Sequence, residues 1–153
     1  MKKILIIEDD ADKSKKIQLF LKDNYQCDIT EKKSYKSGLK ELIKNGENYD
    51  FILMDMSMPN FDITEEEPDG GSHEGFAGRD LLEQMKLREI DSKVFIVTQL
   101  DAFGESVNKL SLEELKEQMK EEFCPIYRDT IYYNTAQENW KTELKEKIGT
   151  LND

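Results

Sequence analysis

Acidic side chains stand at two places where apolar runs end. Glu8-Asp9-Asp10 follows Lys3-Ile4-Leu5-Ile6-Ile7, and Asp55 follows Phe51-Ile52-Leu53-Met54. Carboxylates brought together at the ends of neighbouring parallel strands repel one another unless a cation lies between them. A hard cation such as Mg2+, held by one or two carboxylates, keeps coordination positions open for phosphate oxygens. Residues of these types in this pattern predict a site for phosphoryl chemistry. The other chemistry-bearing side chains do not gather in this way. Glu65, Glu66 and Glu67 are consecutive, so their side chains diverge and read as a solvated run. His73, the single histidine, reads as a solvated loop residue. Asp10 and Asp12 suit the first turn of a helix. Cys27 and Cys124 are far apart without CxxC spacing, which predicts reduced thiols. Trp140, Tyr132 and Tyr133 read as core or partner contacts.

Strand-like runs at 3–7, 27–30, 51–56, 94–98 and 130–134 alternate with stretches of helical period. Ile17, Phe20 and Leu21 share one helical face. So do Tyr35, Leu39, Leu42 and Ile43; Leu81, Leu82 and Met85; Leu112, Leu115 and Met119; and Trp140, Leu144 and Ile148. The runs at 3–7, 51–54 and 94–97 are almost continuously apolar, as parallel strands buried on both faces require. Right-handed crossovers then give an α/β fold: a flavodoxin-like, doubly wound sheet of five parallel strands in the order 2-1-3-4-5, with helices on both faces. Ligands in such folds bind beyond the strand C-ends where the order reverses. Strands one and three flank that crevice, and they are the strands that lead into Glu8, Asp9 and Asp55.

The 153 residues predict a single domain over 1–153. A formal net charge of -11 repels polyanions, so nucleic acid and anionic membranes are not expected partners. No apolar stretch approaches a membrane span and no secretory cleavage pattern follows Met1-Lys2-Lys3, which predicts a cytoplasmic protein. The residues around 63–77, within an acidic and glycine-rich stretch punctuated by Pro68-Asp69-Gly70-Gly71, are expected to form an inserted loop at the rim of the acidic pocket. Ser111-Leu112-Glu113-Glu114 reads as a capping box that opens a helix.

The motifs resemble the receiver domain of two-component response regulators over nearly the whole chain. ILIIEDD at 4–10 resembles the first strand with its acidic pair. FILMDMSMPNFD at 51–62 resembles the third strand with its phospho-acceptor, and VFIVT at 94–98 the fourth strand with its switch hydroxyl. The resemblance implies that Asp55 is phosphorylated by a histidine kinase or phosphotransfer protein. It implies that Asp9, Asp55 and the Ser57 backbone carbonyl hold Mg2+, with Glu8 assisting through water. It further implies that Thr98 moves to hydrogen-bond the new phosphoryl oxygen, and that there is no enzymatic activity beyond self-phosphorylation and autodephosphorylation at Asp55.

Two features depart from the family pattern. The family ends strand five with a Lys-Pro step whose ammonium pairs with the phosphoryl group, whereas this chain has Asn134 near that place. Arg128 and Lys109 are the sequence's candidates to substitute. The 63–77 loop also separates Asp62 from Gly78-Arg79-Asp80, which would otherwise follow almost directly. Besides a phospho-accepting module that signals through protein contacts, two other readings stay open. One is a pseudo-receiver that acts by phosphorylation-independent contacts. The other is an aspartate-nucleophile phosphohydrolase, for which Asp55-Met56-Ser57 lacks the second acid of the Asp-x-Asp start in haloacid-dehalogenase-like enzymes.

Overall fold

The computed structural model describes residues 1–60, 73–74, 76–99, 102–103, 110–134 and 136–152. Its sheet is formed by β1 (Lys2–Ile7), β2 (Cys27–Lys32), β3 (Phe51–Met54), β4 (Val94–Thr98) and β5 (Tyr127–Tyr132). All four pairings are parallel and the order is β2-β1-β3-β4-β5. This is the doubly wound arrangement that the apolar runs predict. The helices are α1 (Ala11–Asn24), α2 (Tyr35–Asn45), α3 (Ala77–Leu87), α4 (Leu112–Phe123) and α5 (Asn139–Gly149).

Alternation along each strand divides the core in two. Leu5, Ile7, Ile52, Met54, Val94 and Ile96 face α2, α3 and α4, where Leu42, Leu81, Leu82, Met85, Leu115 and Met119 cover them. Ile4, Ile6, Phe51, Leu53, Phe95 and Val97 point the other way, onto Ile17, Phe20 and Leu21 of α1 and Trp140, Leu144 and Ile148 of α5. Both faces are therefore dry, which is why the three central strands carry no alternating polar residues. Trp140 and Tyr133 belong to this second core, while Tyr132 is partly exposed.

Helix starts follow local chemistry. Asp10 caps α1, accepting from the backbone N–H groups of Asp12 and Lys13 at 3.0 and 3.2 Å. Ser111 and Glu114 form the expected capping box at α4. The boundary of the last strand differs from expectation: β5 begins at Tyr127, three residues before 130. Its first residues read Tyr-Arg-Asp, with Arg128 exposed and Asp129 buried, instead of an apolar run. Asn134 consequently lies beyond the strand, after Tyr133 has extended the ladder by donating its N–H to the Thr98 carbonyl at 2.7 Å.

Of the expected 63–77 loop, residues 63–72 and 75 lie outside the described residues. Its far end is regular structure: His73–Glu74 pairs antiparallel with Met58–Pro59, and Ala77 is buried as the first residue of α3. Ala102–Phe103 and Leu110–Ser111 form a second short antiparallel pair. Among the described residues no helix is long and apolar enough to cross a membrane.

Candidate functional site

The site lies where β1 and β3 end side by side. Two backbone bonds carry the sheet one residue further, Glu8 N–H to the Lys32 carbonyl at 2.9 Å and Asp55 N–H to the Ile7 carbonyl at 3.1 Å. They fix the directions in which Glu8, Asp9 and Asp55 leave the sheet. One carboxylate oxygen from each of these residues lies within 4.8 Å of the others, so the structure brings together the three acids that the sequence places at strand ends. Glu8 is buried, and Asp9 and Asp55 are half-buried. Ser57 is half-buried two residues beyond Asp55, and Thr98 ends β4 fully buried.

Asp55 is oriented from both sides. Its Oδ1 accepts from the Met56 N–H at 2.7 Å, which leaves Oδ2 facing the acidic pocket. Behind it, α3 presses directly against the chain, with the Gly78 N–H bonded to the Met56 carbonyl at 2.9 Å. A Cβ at position 78 would stand 2.6 Å from the Asp55 carbonyl oxygen, so only glycine permits this approach.

The pocket holds a cation that the sequence reading did not find. Lys13, 1% exposed, enters from the first turn of α1. Its ammonium lies 2.6 Å from Glu8 Oε1 and 3.3 Å from Asp55 Oδ2, and it donates to the Val97 carbonyl at 2.7 Å. All three ammonium protons thus have acceptors. The Tyr133 ring lies 5.7 Å from the same nitrogen. Burial, and then the charge of Asp55, push the Glu8 carboxyl above its ordinary range, while Lys13 and the Asp10 N–H pull the other way. Of the cations that the sequence suggested for this role, Arg128 is exposed and Lys109 lies outside the described residues. A signal for Lys13 was present, since it continues the buried stripe of Ile17 and Leu21 by one helical turn. A lysine in the first turn also opposes the helix dipole, so it needs a reason to be there.

No family model matches the sequence. The chain is 31% identical to the Detocs response regulatory protein DtcB of Enterobacter cloacae, over 97% of this chain and 99% of that protein. The chain belongs to the response regulators. It is 27% identical to the uncharacterized protein y4jR of Sinorhizobium fredii over 94% of each chain. Among solved structures, the receiver domain of the Francisella response regulator 1452 superposes with a TM-score of 0.62 at 23% identity, over 99% of this chain and 96% of that one. A response-regulator receiver domain from Clostridium thermocellum gives a TM-score of 0.64 at 20% identity, with 99% and 94% covered. These receivers share the overall fold of this chain.

Proposed function

We propose that this receiver accepts a phosphoryl group on Asp55 from a histidine kinase or phosphotransfer protein and passes the signal on through protein contacts. The observation that carries this reading is the orientation of Asp55: Oδ1 is pinned by the Met56 N–H, while Oδ2 faces a cluster of acids and a cation. A carboxylate held this way presents Oδ2, 3.3 Å from the Lys13 ammonium, as the nucleophile toward a phosphodonor.

The donor set suits Mg2+, because three hard carboxylate oxygens converge. Asp9, Asp55 and the Ser57 carbonyl would hold the ion, with Glu8 assisting through water. When bound, it supplies neutralisation of the phosphoryl oxygens, which otherwise repel the attacking carboxylate. In the transfer, an Asp55 Oδ2 lone pair forms the new bond to phosphorus while the donor's bond to phosphorus breaks, and the leaving group departs with that electron pair. Acetate leaving from acetyl phosphate needs no proton. Thr98, buried at the end of β4, is the hydroxyl assigned to respond.

Intact mass after incubation with acetyl phosphate and Mg2+ tests this reading. One phosphoryl adduct is expected on the native chain and none on Asp55→Asn. An unmodified native chain would favour the pseudo-receiver reading, and continuous release of phosphate from a phosphomonoester would favour the phosphohydrolase.

A further inference from the structure

We propose that Lys13 is a catalytic residue of this receiver: its ammonium, delivered from α1 instead of from the end of the last strand, is the cation that meets the phosphoryl group on Asp55. The inference rests on Asp55 being the phospho-acceptor and goes beyond it by assigning the charge partner.

The geometry argues for more than charge balance. A buried lysine loses its hydration and its side-chain freedom, and neutralising Glu8 alone would require only one contact. Lys13 instead spans the pocket, 2.6 Å from Glu8 Oε1 at the end of β1 and 3.3 Å from Asp55 Oδ2 beyond β3, with Val97 O on β4 2.7 Å away. Its contact to Asp55 is the longest of the three and is made to the oxygen that faces the pocket. A phosphoryl group on Oδ2 brings oxygens carrying more negative charge to that same place. The ammonium can turn to them while keeping Glu8, forming a charge-assisted hydrogen bond without moving its stem. During the transfer Lys13 stays protonated and no electron pair passes through it. The Val97 carbonyl that it also holds immediately precedes Thr98, so an ammonium that turns toward phosphate alters its bond at the end of β4.

Two acids facing one ammonium also allow the opposite role, a tethered ion that fills the pocket in place of a metal. Phosphorylation rates separate the two roles. With acetyl phosphate and Mg2+, followed by intact mass, Lys13→Met should acquire the Asp55 adduct roughly ten- to a hundredfold more slowly than the native chain, as loss of one charged hydrogen bond implies. Lys13→Arg should recover part of the rate. Because Lys13→Met leaves Glu8 buried without its partner and can unfold the domain, the same comparison is made between Glu8→Gln and Glu8→Gln/Lys13→Met, in which position 8 carries no buried charge to be orphaned. A second measurement is independent of turnover: the NMR signal of the Lys13 Nζ group should shift when beryllofluoride and Mg2+ are added to the native chain, and should stay in place in Asp55→Asn. Equal or faster labelling without Lys13 in both pairs, or an Nζ signal that ignores beryllofluoride while backbone signals near Asp55 respond, overturns the assignment and leaves Asp55 as acceptor intact. A native chain that takes no label and does not bind beryllofluoride overturns both.

Discussion

The backbone of Asp55 is packed against a residue without a side chain. At Gly78 an added Cβ would meet the Asp55 carbonyl oxygen at 2.6 Å and the Met56 Cα at 3.1 Å. Both are backbone atoms with little freedom to yield. Gly78→Ala should cost about 1–3 kcal/mol in urea denaturation, the range for overpacking, and should slow labelling of Asp55 by displacing it. Gly149, at the end of α5, has nothing within 4 Å of such a Cβ. Gly149→Ala is therefore the control, expected to be neutral or to stabilise by about 0.5–1 kcal/mol through helix propensity. A Gly78→Ala chain as stable and as reactive as the Gly149 variant would show that α3 does not position the acceptor. The Mg2+ site proposed at these acids can also be tested at single residues. Mg2+ added in an NMR titration should move signals at 8–10 and 55–58 first, and Asp9→Asn should raise the concentration needed by about tenfold or more, as the loss of one carboxylate ligand implies.

At the scale of elements, the edge of the sheet is tied to two helices through one carboxylate. Asp129 on β5 is buried, with Oδ2 2.8 Å from Lys147 of α5 and Oδ1 3.8 Å from Lys116 of α4, and it accepts from the Thr130 N–H at 2.8 Å. Burial works to raise this carboxyl, but the Lys147 bond, the Thr130 N–H and Lys116 together outweigh it and hold the group below its ordinary range. A depressed folded-state value means that the contribution to stability is fully present above about pH 4 and is lost as the pH falls through the folded value. Asp129→Asn should therefore lower stability at pH 7 by about 1–2 kcal/mol, the range for charged hydrogen bonds reduced for partly exposed lysines. It should also flatten the decline of stability on the acid side. Denaturation curves at pH 7 and pH 3 measure both. A variant with the native acid decline would place that pH dependence in other carboxylates.

Charge acts over the whole molecule. The net charge of -11 includes Asp62, Glu65, Glu66, Glu67 and Asp69, which lie between Asn60 and His73 and are joined at both ends to the neighbourhood of Asp55. On the proposed function, an anionic phosphodonor approaching Asp55 is opposed by the net negative charge, whose field at 0.1 M salt is screened over about 10 Å and reaches further in dilute buffer. The pairing of His73–Glu74 with Met58–Pro59 and the burial of Ala77 shorten the removable segment to 61–72, since its closing end belongs to the fold. Replacing 61–72 by a short glycine-containing turn should leave Tm within a few degrees, because closing a shorter loop has a small entropic effect. It should also raise the rate at which acetyl phosphate labels Asp55, most at low salt. Unfolding of this variant, or a rate gain independent of salt, would show that the segment acts by packing and not by charge.

Much of the fold follows from local sequence. Runs of apolar residues alternating with helical stripes require a parallel sheet covered on both faces, and short-range chemistry sets the caps at Asp10 and Ser111. The convergence of Glu8, Asp9 and Asp55 was legible too, because the strand order that buries these runs makes β1 and β3 neighbours. The partners of other residues that meet across long stretches of sequence were not legible. Lys13 lies in a charged run beside Asp12 and Lys16, which pair with each other on the exposed side of α1, and only the packing of α1 on the sheet turns it toward Asp55 and toward a carbonyl 84 residues away. The start of β5 is set by pairing with β4, since Tyr-Arg-Asp has no strand pattern of its own. Gly78 gives no local sign of the backbone it touches. Hydrophobic period and capping are properties of neighbouring residues, whereas the place of a buried charge depends on which surfaces close over it.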